Sequence, residues 1–267
     1  MSTAPHTGSM DTTGTLVVSQ PMYFPWVGML EQIRLCDTYV FYDDVQFARG
    51  FINRVQVKTR DGVRWLTVPL RDRHRHSLIS DLEIDDNTDW RSRHRDVLRQ
   101  AYLGTPHLDD MLALVDAVFS QNATTLAALS RASVMALAHY FGLDAGRQFL
   151  DASALGVGGE SSGRLLALCG HFGASRYVTG HGARHYLDHE RFERAGVVVE
   201  YMDYQLRAYP QRHGAFTPYV SALDLVANCG REGAQYICSR TVSWQAASAE
   251  AVSADAILTP ALEVTLP

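Results

Sequence analysis

The sequence has almost no lysine, no long apolar run and no excess of positive charge. Among its 267 residues 24 are basic, and 23 of these are arginine while one is lysine. The net charge of −5 and the isoelectric point of about 6.1 argue against partners such as nucleic acid or an anionic membrane. No apolar run reaches the roughly 18 residues of a membrane-spanning helix. With 46% hydrophobic residues, the chain can form one large domain or two small ones.

The cysteine spacing and the composition of the terminal segments argue against further classes of protein, namely zinc proteins, disulfide-linked proteins and secreted proteins. The four cysteines have no CxxC spacing, which is against a zinc site and a disulfide framework, and we predict no metal and no other cofactor. Residues 1–14 are rich in Ser, Thr and Gly and contain no apolar signal core, so we predict a disordered leader and a cytoplasmic protein. We expect a single α/β domain over 15–245 and an Ala- and Ser-rich tail over 246–267.

Two strand–helix–strand patterns predict the fold class. In the first, the β-branched run 16–18 is followed by a helix over 28–35 and a strand over 38–42. In the second, strands over 177–179 and 197–201 flank a short helix. Each pattern is typical of parallel strands joined by a right-handed crossover. We therefore predict an α/β fold with a mainly parallel, Rossmann-like sheet.

Two segments depart from this alternation. Residues 53–69 alternate apolar and polar side chains around Asp61-Gly62, and an Asp-Gly pair in that setting predicts a β-hairpin. Residues 88–145 carry apolar side chains at helical spacing, which predicts an inserted helical region.

Functional side chains are first expected where the two N-terminal strands end. Open α/β sheets bind ligands at the carboxyl ends of their strands, where helix N-termini face an incoming anion. After the first strand the candidate binding residues are Ser19, Gln20, Tyr23 and Trp26. After the second they are Asp43, Asp44 and Gln46. Because adjacent residues of an extended chain face opposite ways, we expect one aspartate in the cleft and the other in a structural role.

The single lysine lies on the first arm of the predicted hairpin, close to Asn53 and Arg54. Residues 54, 56 and 58 share one face of the strand, which presents Arg54, Gln56 and Lys58 while the intervening valines enter the core. A lysine is a compact point charge, whereas arginine is a planar fork. We therefore predict that Lys58 projects into the cleft with Arg54, and that Lys58→Arg impairs turnover without unfolding the protein. The alternative is that this lysine survived a compositional drift toward arginine.

Two later segments supply the remaining candidates. Thr179, Gly180 and His181 follow a predicted strand; the glycine permits close ligand approach, and the histidine suits acid–base catalysis or phosphate contact. Further along, a polar stripe on an otherwise apolar helix predicts a cleft wall at Ser221, Asp224 and Asn228, with Gln211 before it.

These residues together resemble the WbqC-like family, which is named for proteins encoded in bacterial surface-polysaccharide gene clusters. The resemblance covers about residues 17–230 and rests on several motifs taken together. They are Gln20-Pro21 with Tyr23, Pro25-Trp26 with Gly28, Tyr42–Phe47, Asn53-Arg54 with Lys58, Trp65–Pro69, Tyr177–Gly180, Tyr186-Leu187, Tyr209 with Gln211, and Ser221–Gly230. The family usually has a histidine before Gln-Pro, and here Ser19 replaces it. The resemblance adds Tyr186 to the binding residues. It also implies a bacterial, biosynthetic protein near amino-sugar and antibiotic pathways, where amines are acylated.

The leading hypothesis is a group-transfer enzyme that forms an amide by moving an acyl or aminoacyl group from an activated donor to an amine. Asp43 or Asp44 is the expected base, Lys58 and Arg54 stabilise the oxyanion or hold donor phosphates, and His181 assists. The expected partners are a small-molecule substrate and an activated acyl donor or carrier protein, and the oligomeric state is left open. One alternative is nucleotidyl or adenylate transfer on a pantothenate-synthetase-like fold, although the His-x-Gly-His motif of that fold is missing. The other is a non-catalytic module that recognises a carrier protein.

Overall fold

The computed structural model describes residues 14–48 and 50–247. The predicted leader and tail lie outside these residues, apart from their inner ends. The described chain forms eight strands, which are β1 (Gly14–Ser19), β2 (Thr38–Phe41), β3 (Arg54–Thr59), β4 (Gly62–Thr67), β5 (Gln148–Asp151), β6 (Ala174–Thr179), β7 (Val198–Asp203) and β8 (Arg240–Ser243).

The helices connect and cover these strands. They are α1 (Val27–Leu35), α2 (Trp90–Ala101), α3 (Leu108–Phe119), α4 (Leu126–Tyr140), α5 (Ala152–Leu155), α6 (Ser161–His171), α7 (His189–Arg194) and α8 (Ala222–Cys229). Two 3₁₀ segments follow β6 and α8, at His181–His185 and Gly230–Tyr236. No described helix has both the length and the apolar character needed to cross a bilayer.

Six strands form the central sheet, in the order β5-β2-β1-β6-β7-β8. All neighbours are parallel except β7 and β8, which are antiparallel. This confirms the predicted mainly parallel α/β sheet, with the four predicted strands at its centre. The two outermost strands, β5 and β8, are additions that the sequence patterns did not predict.

The two faces of the sheet contribute to two separate cores, because successive side chains of a strand point to opposite sides. Val17 of β1 belongs to a core with apolar residues of α1, α2, α3, α4 and α8. Its neighbours Leu16 and Val18 belong to a core with residues of α6 and α7. The molecule is therefore a three-layer α/β arrangement, and the predicted helical region supplies most of one outer layer.

The predicted hairpin forms a separate two-stranded antiparallel sheet, β3-β4. Gly62 begins β4 with a φ of +107°, a conformation that glycine adopts without strain. The buried face of the hairpin adds Val55, Val57 and Leu66 to the core that contains α2. The hairpin is thus attached to the helical layer and lies outside the central sheet.

Candidate functional site

A cleft of about 620 Å³ opens at the carboxyl ends of β1 and β6. The strand order reverses at this point, because the chain continues from β1 to β2 on one side and from β6 to β7 on the other. Such a reversal leaves a crevice between the loops that follow the two strands, and open α/β sheets bind ligands there. The fold therefore places a candidate ligand site between the segment after Ser19 and the segment after Thr179.

The wall of this cleft combines apolar side chains with hydrogen-bonding groups and several aromatic rings. Its hydrogen-bonding and aromatic residues are Ser19, Gln20, Trp26, Gln32, Tyr42, Thr179, His181, Tyr186 and Tyr204. Among the described residues that line it there is no Asp, Glu, Lys or Arg. The ring centroids of Trp26 and Tyr204 are 4.9 Å apart, so two aromatic groups stand side by side. This lining suits a ligand with hydroxyl groups and an apolar ring face better than a strongly charged one.

The segment after β1 is held in an irregular path by hydrogen bonds from three parts of the chain. Phe24 has a φ of +40°, a strained value for a residue with a side chain. Its N–H donates to Ser133 Oγ at 2.9 Å, and its carbonyl accepts from Ser221 Oγ at 2.8 Å. The preceding Tyr23 N–H donates to the carbonyl of Ile52 at 3.0 Å. These contacts fix the entry into α1 and therefore the position of the cleft wall.

Trp26 reaches the cleft because its indole lies directly over Gly28. A Cβ atom on Gly28 would be 2.1 Å from an indole carbon, far inside van der Waals contact. The glycine is thus required by packing, although glycine is a poor residue for a helix interior.

We expect Gly28→Ala to displace the Trp26 indole and to destabilise the protein by about 1–3 kcal/mol through overpacking. Near-ultraviolet circular dichroism and urea unfolding measure the two effects. Gly170→Ala is the matched control, because Gly170 lies in α6 with open space around its Cβ position and should gain up to about 1 kcal/mol from helix propensity. A gain of the same size for Gly28→Ala would contradict the packing argument.

His181 opens the 3₁₀ segment after β6 and has one ring nitrogen fixed. Its Nε2 lies 2.6 Å from the carbonyl oxygen of Met202, at the end of β7. A carbonyl accepts only, so Nε2 carries the hydrogen, and a neutral ring has its lone pair on Nδ1. Its ring also packs edge-on against Tyr204, with centroids 5.5 Å apart. The fold thus selects a tautomer in which Nδ1 is the proton-accepting atom.

The tyrosines of the cleft are held in the neutral form. Burial raises the pKa of Tyr204 to about 12, and the hydrogen bond that Gln32 Nε2 donates to its hydroxyl, at 2.8 Å, acts against this rise. Burial likewise raises the pKa of Tyr42 and of Tyr186. Neutral phenols can both donate and accept hydrogen bonds, so the cleft offers versatile polar contacts at neutral pH.

Part of the predicted site converges in this cleft. The predicted residues that line it are Ser19, Gln20, Trp26, Thr179, Gly180, His181 and Tyr186. The sequence patterns missed Gln32, Tyr42 and Tyr204. Two of these could have been found from strand ends, because Tyr42 directly follows β2 and Tyr204 directly follows β7. Gln32 could have been found as the residue one helical turn after Gly28.

Neither aspartate of the predicted pair lines the cleft. Asp43 is 5% exposed, and its carboxylate accepts hydrogen bonds from Ser153 N at 2.9 Å and Ser153 Oγ at 2.6 Å. Asp44 forms an ion pair with Arg164, whose guanidinium lies 5.0 Å from the ring centre of Tyr42. The expectation that one aspartate faces the cleft was therefore wrong. Asp43 ties the segment after β2 to α5, and Asp44 pairs with an arginine that packs on a cleft tyrosine.

Lys58 is also away from the cleft, which corrects its predicted position. It is 4% exposed, and its Nζ donates to Gln211 Oε1 at 3.1 Å, to the carbonyl of Gly214 at 3.2 Å and to that of Ala215. The predicted polar face of β3 is real, but the segment 211–215 covers it at Lys58. The ammonium group therefore fastens this segment to the hairpin.

The predicted cleft wall on α8 is likewise turned inward. Asp224 is 1% exposed and accepts a hydrogen bond from Asn228 Nδ2 at 3.2 Å, while Ser221 caps the helix. Burial raises the pKa of Asp224 to about 6, and the neighbouring hydroxyls of Tyr209 and Tyr102 and the charge of Lys58 act against this rise. The polar stripe thus forms a buried network in place of a ligand surface.

This buried carboxyl predicts a pH dependence of stability. The pKa of Asp224 is higher in the folded chain than the value of about 3.9 expected on unfolding. Its stabilising contribution is therefore complete below about pH 3.9 and is lost as the pH rises through about 6. Relative to Asp224→Asn, the wild type should lose about 2 kcal/mol of unfolding free energy between about pH 4 and 7. Urea unfolding at each pH measures this difference, and a flat difference would contradict it.

Comparison with Asp224→Asn is needed because a buried histidine acts in the opposite direction. Burial lowers the pKa of His94 to about 4, so its contribution is present above about pH 6.5 and is lost as the pH falls toward 4. His94 Nδ1 lies 3.0 Å from the hydroxyl of Tyr23, which places the predicted binding residue Tyr23 in this interior contact.

Another predicted residue, Gln46, donates from Nε2 to the carbonyl of Arg75 at 2.6 Å, on the surface.

Asn53 and Arg54 lie beside a different cavity. Asn53 Nδ2 donates to the carbonyl of Val68 at 3.1 Å, across the open end of the hairpin. Arg54 Nε donates to the carbonyl of Gly50 at 3.1 Å. Both residues line a cavity of about 370 Å³ at the base of the hairpin, so the structure separates them from the switch-point cleft.

The fold and the cleft define a mainly parallel α/β protein with an open cleft at a topological switch point. A match to the WbqC-like protein family covers residues 20–236. Rv1507c, an uncharacterized protein of Mycobacterium tuberculosis strain H37Rv, is 31% identical over 226 residues, which is 83% of this chain and 96% of the relative. No solved structure matches the chain. The chain belongs to the WbqC-like protein family.

Proposed function

We propose that the protein is a biosynthetic group-transfer enzyme that moves an acyl or aminoacyl group from an activated donor to the amine of an acceptor. The observation that carries this proposal is His181, whose Nε2 is fixed by the Met202 carbonyl inside the switch-point cleft. A neutral imidazole with one nitrogen held in this way is a suitable general base for an attacking amine.

The cleft lining supports an acceptor with a hydroxylated ring. Amide and hydroxyl side chains such as Gln20, Thr179 and Ser19 match ring hydroxyl groups, and the aromatic faces of Trp26 and Tyr204 match the apolar face of the ring. An amino sugar combines these features with a nucleophilic nitrogen. This acceptor class also agrees with the surface-polysaccharide setting that gives the family its name.

In the proposed reaction the acceptor amine attacks the acyl carbon of the donor. A carbon–nitrogen bond forms, the bond from the acyl carbon to the leaving group breaks, and the leaving group departs with that electron pair. His181 Nδ1 takes the proton that the amine nitrogen loses. The Ser19 hydroxyl and the Gln20 amide, at the end of β1, supply donors to the carbonyl oxygen as negative charge develops on it. This role for His181 replaces the predicted aspartate base, because Asp43 and Asp44 are bonded elsewhere.

A transfer assay tests this proposal. The purified protein is incubated with acetyl-coenzyme A, or with an aminoacyl adenylate, and a panel of nucleotide-linked amino sugars. Mass spectrometry should detect an acceptor that has gained one acyl mass, and the corresponding hydroxyl sugars should remain unmodified. ATP–pyrophosphate exchange without an amide product would instead favour nucleotidyl transfer. Acceptor binding without any turnover would favour a non-catalytic module.

A further inference from the structure

The cavity at the base of the hairpin has a different chemistry from the switch-point cleft. Its volume is about 370 Å³, and it is lined by Asn53, Arg54, Thr67, Val68, Pro69, Leu70 and Arg73. Two arginines therefore line one space, and no described residue of its lining carries a carboxylate. A neighbouring cavity provides a contrast, because Arg71 there is accompanied by Asp72, Asp81 and Glu83 and pairs with Glu83 at 3.7 Å.

Arg54 is held in place before any ligand arrives. Its Nε donates to the Gly50 carbonyl at 3.1 Å, and its guanidinium lies 4.2 Å from the ring centre of Trp65. Phe51 supports the other side of this arrangement, with its ring 5.2 Å from that of Trp65. A planar fork that is already oriented loses little conformational entropy when its outer nitrogens bind an anion.

Arg73 supplies the second positive charge. Its guanidinium lies 5.8 Å from the ring centre of Phe47, and it forms no ion pair within the part of the chain that the structure describes. The same holds for Arg54. Two arginines that line one cavity without a described carboxylate suit a phosphate, which a guanidinium can bind through two N–H groups.

We propose that this cavity is a second ligand site, which binds a phosphate group of the activated donor. One short segment contributes to both regions, because Val45 lines the cleft and the ring of Phe47, two residues later, lies 5.8 Å from the Arg73 guanidinium. A donor anchored by its phosphate can thus direct its acyl end toward His181. The assignment to a donor rests on the proposed group transfer, whereas phosphate binding by the cavity does not.

Two donor types carry the required phosphate, namely a nucleotide polyphosphate and a phosphopantetheine thioester such as an acyl-coenzyme A. Isothermal titration with inorganic pyrophosphate, ATP and coenzyme A distinguishes them. Tighter binding of ATP assigns a nucleotide donor, and tighter binding of coenzyme A assigns a thioester donor. Each result supports a phosphate site.

Variants localise the binding. Arg54→Gln and Arg73→Gln should each weaken binding of the preferred probe by about 10-fold or more, which is typical for loss of a charge-assisted hydrogen bond. Arg64→Gln is the matched control, because it removes the same charge from the same hairpin but does not line the cavity. Arg73 is exposed, so its replacement tests the site even if Arg54→Gln folds poorly.

Tryptophan fluorescence separates the two sites. Trp65 lies against the proposed phosphate site and Trp26 lines the cleft, so the signal from pyrophosphate should vanish in Trp65→Phe and persist in Trp26→Phe. Unchanged affinity in both cavity variants, or an equal loss in Arg64→Gln, would overturn the site. Phosphate binding without acyl transfer would support the phosphate site and contradict the proposed function. Acyl transfer without phosphate binding would support the proposed function and contradict the phosphate site.

Discussion

Replacing Lys58 with methionine should lower the free energy of unfolding by about 3 kcal/mol or more, a typical cost of removing one partner from a buried charged network. Methionine fills a similar volume but leaves three oxygen acceptors, on Gln211, Gly214 and Ala215, without the ammonium donor. It also removes the positive charge that favours ionised Asp224. Urea unfolding monitored by circular dichroism measures the loss.

Lys58→Arg should be destabilising as well, by about 1–3 kcal/mol, because a planar fork must fit where a compact ammonium is enclosed. Gln56→Met is the matched control on the same strand, with a half-buried side chain, and should change stability by about 0.5 kcal/mol or less. If Lys58 lay in the cleft, as the sequence predicts, its replacement would instead lower turnover and leave the free energy of unfolding unchanged. Wild-type stability in both Lys58 variants would show that the network carries little energy.

Replacing His181 with glutamine should reduce the turnover number of the proposed transfer by about 10²–10⁴-fold, the usual contribution of a general base. Glutamine can still donate a hydrogen bond toward the Met202 carbonyl, so the fold around the cleft should persist. The measurement is turnover at saturating acceptor, together with the melting temperature.

His185→Gln is the control for this experiment, because His185 is an exposed histidine of the same 3₁₀ segment, as His181 is, but does not line the cleft. It should retain the wild-type rate and melting temperature. If His181→Gln raises the Michaelis constant of the acceptor and leaves the turnover number unchanged, His181 is a binding contact and another group accepts the proton.

The centre of the sheet could be predicted because β1, β2, β6 and β7 have apolar side chains on both faces, and buried parallel strands give continuous apolar runs. The outer strands give a weaker signal. β5 has four residues, of which Gln148 is exposed and the others are half-buried, and β8 is similar. A short, half-covered edge strand has neither a clear apolar run nor a full alternation, so its sequence resembles a loop.

The candidate site was predictable where it depends on strand ends. Ser19 and Thr179 end adjacent parallel strands, and the carboxyl ends of such strands converge whatever the intervening sequence. Lys58 and Asp224 depend on a different property. Spacing along a strand or helix indicates which side chains share a face, but the segment that covers the face can be far away in sequence, as 211–215 is for Lys58. Local sequence patterns do not indicate which distant segment packs over such a face.

The cleft is built from two strands whose ends, Ser19 and Thr179, are 160 residues apart in the chain. During synthesis β1 is therefore complete long before β6, which forms the other side of the cleft. An N-terminal fragment that ends before β6 contains only one side of the binding site. A ligand bound in the cleft contacts the segments after β1 and β6 at the same time and so links the early and late halves of the chain. At a ligand concentration 100 times the dissociation constant, the folded state gains about 2.7 kcal/mol. Hydrogen exchange should then slow at both strand ends together, although neither end is a sequence neighbour of the other.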